Sequence, residues 1–209
     1  MLEYLDQMKK IYLDTERQLL EFSYIVPIDE NQKLYSPRLY SILQFTCSQV
    51  ESLMKKIMEI LQLKPENRSF KSLYDPLNQM GMLDCQKVIL WETEKIIQPF
   101  TSNFQLSWWI AYNKTKHGLP VGLKKGTLQN VISAISSAYI LNGIVYVLNN
   151  SYGDKLPILD KNNWGEITVN DSTMHNLRVL RTYDKRPFLS SFFEWVKAYH
   201  DPKLPSADF

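Results

Sequence analysis

From Gly126 to Gly153 the chain runs 28 residues without a charged side chain, and VISAISSAYILNGIVYVL lies inside that run. A segment this long and this apolar is stable only when covered, by lipid or by other parts of the protein. Three serines, Asn142 and Gly143 interrupt it, and the mean hydropathy of the chain is negative, −0.28. Such a hydrophobic density is poor for a membrane span, so the expectation is a central bundle helix, apolar on most sides, with no membrane partner. The rest of the chain must then supply the helices that cover it.

The flanking sequence carries those signals. Leu5, Met8, Tyr12, Leu19 and Phe22, with charges between them, predict a first amphipathic helix over Leu2 to Phe22. Ser36-Pro37 is a cap followed by a first-turn proline, and it opens a stripe from Ile42 and Leu43 through Val50, Leu53, Met54 and Ile57 that ends before Lys64-Pro65. Opposite that stripe, Ser41, Gln44, Ser48, Glu51 and Lys55 share a face whose simplest reading is wetted surface. Ser69 to Met80 predicts a short helix stopped near Gly81, with Asp75-Pro76 leaving the form of its middle open. Lys87 to Trp91 fits a short strand or a helical turn equally well. Gln105 to His117 predicts a helix closed by Gly118 and Pro120.

Beyond Asn149-Asn150 the character changes. Gly, Asp, Pro and Asn become frequent, and alternating runs at Ile167 to Val169 and Leu177 to Tyr183 suggest a hairpin. Pro187 then opens FLSSFFEWVKAYH, where Phe188, Leu189, Phe192, Phe193, Val196 and Tyr199 predict a final docked helix. The expected fold class is mainly α, an up-and-down helical bundle over residues 1–150 with a small C-terminal extension over 151–209.

Composition narrows the function classes. With 44% hydrophobic and 22% charged residues in a 209-residue chain, disorder is excluded and one core is expected. Two cysteines, Cys47 and Cys85, supply neither a four-thiolate zinc site nor a secreted disulfide scaffold. The N-terminus lacks the apolar stretch of a signal peptide, so a cytoplasmic location is expected and the four Asn-x-Ser/Thr matches read as chance. His117, His175 and His200 are too scattered for a metal pair, GLPVGLKKGT lacks the spacing of a phosphate-binding loop, and no nucleophile elbow occurs. No cofactor or metal is expected.

The net charge of +2 names no partner, but its distribution is uneven. Between Lys95 and Gly153 there is no Asp or Glu, while Lys95, Lys114, Lys116, Lys124 and Lys125 are all positive. A patch over residues 113 to 125 would attract a phosphate backbone in a salt-dependent way, with Lys114, Lys116, Lys124 and Lys125 as the nucleic-acid contacts. Inside it, Asn113 and His117 are four residues apart and share a helix face. His117 at a helix C-terminus favours imidazolium, which can protonate a leaving oxygen, and Asn113 can orient that ring or hydrogen-bond a phosphate. A capping contact to free carbonyls explains the same histidine without any ligand.

The run QPFTSNFQLSWWIAYNKTKHG, Gln98 to Gly118, followed by GTLQNVISAISSAYILN, resembles the HEPN superfamily, and RLYSILQFTCSQVESLMKKI resembles the second long helix of that fold. The similarity covers about half the chain and leaves residues 151–209 unmatched. It implies an all-α bundle that often forms a homodimer with the motif helices facing a shared cleft, and in many members a metal-independent endoribonuclease in toxin-antitoxin or phage-defence settings. The motif of those nucleases is Arg, a polar residue, then His. Asn113 and His117 match the last two, but Tyr112 stands where Arg belongs, and a phenol cannot supply the permanently charged fork. Leu119 occupies the position of a tyrosine that some members carry as a modification target. The expectation is thus RNA binding or cleavage with RNA, and an antitoxin or other protein, as partners. The competing expectation is a non-catalytic helical dimerisation or protein-interaction module in which Trp108, Trp109, Tyr112 and Asn113 pack and cap.

Overall fold

Ser36 starts the second helix as the sequence marks it. Its hydroxyl accepts a hydrogen bond from the Leu39 amide at 3.1 Å, and Pro37, lacking an N–H that the first turn does not need, opens the helix. In a computed structural model the described residues are 2–28, 30–80, 82–90, 95–115, 122–152 and 193–195. They form α1 (Leu2–Ser23), α2 (Pro37–Ile60), α3 (Phe70–Gln79), β1 (Val88–Leu90), β2 (Lys95–Ile97), α4 (Ser107–Thr115), α5 (Leu128–Tyr152) and β3 (Phe193–Trp195). The protein is mainly helical.

The charge-free run is α5, and it lies at the centre. It packs most extensively on α2 and also meets α1 and α4. Within its 18-residue stretch Leu128–Val145, 83% is buried inside the protein. This is one helix long and apolar enough to cross a membrane, with its apolar sides taken up by neighbouring helices. Val131, Ile135, Ala138, Leu141 and Val145 meet the buried stripe of α2, which includes Leu43, Val50, Leu53 and Ile57, in one core.

The short helix expected over residues 69–80 is present, and one other helical expectation needs correction. α3 runs through Pro76 to Gln79 without stopping. Ser69 caps it, and Phe70, Leu73, Tyr74 and Leu77 are all buried along one side, so burial outweighs the lost proline hydrogen bond. The correction concerns the C-terminal segment: Phe193–Trp195, expected inside a helix, is a strand. It pairs antiparallel with β1, Val88 opposite Trp195, while β2 takes the other edge of β1 in the order β2-β1-β3. Val88 and Leu90 are buried, and a strand with both edges paired in the interior has no unsatisfied backbone. Lys95 and Ile96 are exposed on the edge strand β2. The hairpin expected at 167–183 and the remainder of the final helix lie outside the described residues.

Candidate functional site

α4 is built on aromatic packing. The Trp108 indole donates to the Pro99 carbonyl at 2.8 Å, its ring meets Phe100 edge-on, and Trp109 stacks on Phe70 with ring centroids 3.7 Å apart. Tyr112 is 7% exposed and lies against Trp109. Tyr112 therefore faces the core and is not open to a ligand in solution. Asn113 is half-buried and Lys114 exposed, so the outer edge of this helix is polar.

The C-terminal end of α4 is pinned to α2 by a small polar junction. Thr115 donates to the Tyr112 carbonyl at 2.5 Å and accepts from the Gln44 side-chain amide, while the Tyr40 hydroxyl donates to the Thr115 carbonyl at 3.3 Å. Gln44, read from the sequence as part of a wetted face, is thus drawn into the protein. Its neighbours on that face, Ser41, Ser48 and Lys55, are exposed as expected. What distinguishes Gln44 is the facing residue on another helix, which periodicity along α2 does not contain.

Two glycines let the next segment close on this junction. A Cβ on Gly122 would sit 2.8 Å from the Thr115 Cα, and one on Gly126 would sit 2.7 Å from the Tyr40 Cα. Between them a tight turn, with the Lys125 amide donating to the Gly122 carbonyl at 2.9 Å, leaves Lys124 and Lys125 exposed. The backbone contact between Gly122 and Thr115 sets this turn beside the end of α4, where Lys114 lies. Three of the four lysines expected to touch nucleic acid therefore share one end of the bundle, with Asn113 on the adjacent helix edge. His117 and Lys116 lie outside the described residues.

Sequence reasoning missed the other wall of this corner, the segment joining α1 to α2. The Leu128 amide donates to the Leu34 carbonyl at 2.8 Å, the Gln129 amide to the Gln32 carbonyl at 3.0 Å, and Tyr35 bridges Thr127 in antiparallel fashion. These bonds satisfy the first amides of α5, which would otherwise attract an anion. No periodic signal marks Gln32 to Tyr35, since the segment forms no regular element of its own.

The described residues make a mainly helical protein in which Lys114, Lys124 and Lys125 are exposed near the end of α4. Protein-family models, curated proteins and solved structures contain no match to this chain. The likeness to the HEPN superfamily is one of sequence, carried by residues 38–57, 98–118 and 126–142.

Proposed function

We propose that this chain is a HEPN-like bundle protein that binds RNA at the end of α4, as a cytoplasmic homodimer. The observation that supports this reading is the exposure of Lys114, Lys124 and Lys125 around one junction, in a stretch of sequence without a carboxylate. Each lysine that neutralises a phosphate releases counterions, so such binding weakens steeply with salt. Binding is favoured over cleavage because Tyr112 is buried among rings, leaving the motif without a guanidinium at its first position. If strand scission occurs, His117 is the group to donate or accept the proton, without a metal.

The experiment is incubation of purified protein with labelled RNA in EDTA, alongside His117→Ala and the double variant Lys124→Gln, Lys125→Gln. The expected result is a salt-sensitive shift of intact RNA that the lysine variant weakens and His117→Ala leaves unchanged. RNA fragments lost on His117→Ala would instead establish a nuclease. Absence of any RNA binding at low salt leaves the second reading, a helical interaction module, which the full packing of Trp108, Trp109 and Tyr112 favours.

A further inference from the structure

The lysine corner has an aromatic wall. Tyr35 is 43% exposed and Leu34 38% exposed, and both are fixed by the backbone bonds that tie their segment to the start of α5. Tyr35 is the bridge partner of Thr127, two residues after Lys125, and Lys33 on the same segment is exposed. Glu21 is paired with Arg38, and Glu30 stands three residues before Lys33. A partly exposed ring on a backbone tied next to a lysine-bearing turn is a combination suited to single-stranded nucleic acid: the ring can offer its face to a base while cations follow the phosphates.

We propose that Tyr35, with Lys33, Lys124 and Lys125, forms a docking corner for single-stranded RNA in which one unpaired base stacks on the Tyr35 ring. The assignment rests on the RNA-binding reading above and adds to it a strand type and a contact residue outside the α4 motif. Because a duplex keeps its bases stacked on each other, this corner selects unpaired strands. An anionic bilayer is the rival occupant of a basic and apolar surface. Leu34 and Tyr35 are both more than half covered and pinned along their backbone, while Tyr24 and Ile25 on the same connection are exposed, so the vesicle arm of the test separates lipid from RNA.

The test is fluorescence anisotropy of the full chain with a labelled oligouridine of about 12 nucleotides, with a duplex of equal length and with phosphatidylserine vesicles as the other arms. Tyr35→Ala is expected to weaken oligouridine binding about tenfold, and Tyr35→Phe to stay within about twofold because the ring is kept. Lys124→Gln with Lys125→Gln is expected to reduce the log–log salt slope by about 1.4. Should Tyr35→Ala lower the melting temperature, Tyr35→Leu, which keeps apolar volume without a ring, carries the same test. Unchanged affinity in the ringless variant overturns the corner and leaves RNA binding elsewhere on the protein intact. Equal affinity for duplex overturns the stacking contact. Absence of oligouridine and duplex binding by the wild-type protein overturns both the corner and the RNA reading, and vesicle binding in that case identifies lipid as the occupant.

Discussion

A single hydrogen atom decides whether the lysine turn can sit where it does. At Gly126 the nearest neighbours of an added Cβ are the Cα, Cβ and amide nitrogen of Tyr40, at 2.7 to 2.9 Å. These atoms belong to the body of α2 and cannot swing aside as a side chain can. Gly126→Ala is therefore expected to destabilise the fold by about 1–3 kcal/mol, as overpacking does, lowering the thermal midpoint by a few degrees for each kcal/mol. Melting followed by circular dichroism checks this, and an unshifted midpoint would show that the turn has slack. The same scale explains what could be read without coordinates. Ser36 as a cap was legible because capping is local chemistry between residues three apart. The Gln44 contact to Thr115 was not legible, because its partner is 71 residues away.

At the scale of elements, α2 carries the clearest sequence signature and a testable dependence on it. Ser36→Ala removes the acceptor for the Leu39 amide and is expected to cost about 1 kcal/mol. Urea unfolding should show this as a lower midpoint with an unchanged slope, since the surface exposed on unfolding stays the same. Ser36→Asp should restore the midpoint, because aspartate also caps and its charge suits a helix N-terminus. Helices whose apolar stripes were unambiguous, α1, α2 and α5, lie where the sequence puts them. Strands were less legible. Val88–Leu90 is too short for periodicity to separate strand from helical turn, and Phe193–Trp195 belongs to a run whose apolar positions also fit a helix. What decides both is the pairing between them, a contact across more than a hundred residues that no local pattern encodes.

For the molecule as a whole, the apolar run dictates the architecture, and the covering elements bury ionisable groups as a consequence. Tyr74 is the clearest example. It is 1% exposed in the core, its hydroxyl donates to the Thr101 carbonyl at 2.5 Å, and burial followed by the nearby Asp84 carboxylate pushes its phenol well above the ordinary value near 10. In the unfolded chain the same phenol releases its proton near pH 10, while in the folded protein it keeps it. Above that pH the unfolded state binds fewer protons than the folded one, so stability present at lower pH falls as the pH rises. Tyr4 is shifted the same way, first by burial and then by Glu59, and contributes with the same sign. Tyr74→Phe removes the largest of these groups along with its hydrogen bond, so it should be less stable than wild type at neutral pH. The gap should narrow as the pH climbs past 10, because the variant no longer has that proton to lose. Urea titrations of both proteins at neutral pH and at successive alkaline values read the gap directly. A difference that stays constant with pH would mean that the Tyr74 ring reaches solvent easily enough to ionise without unfolding.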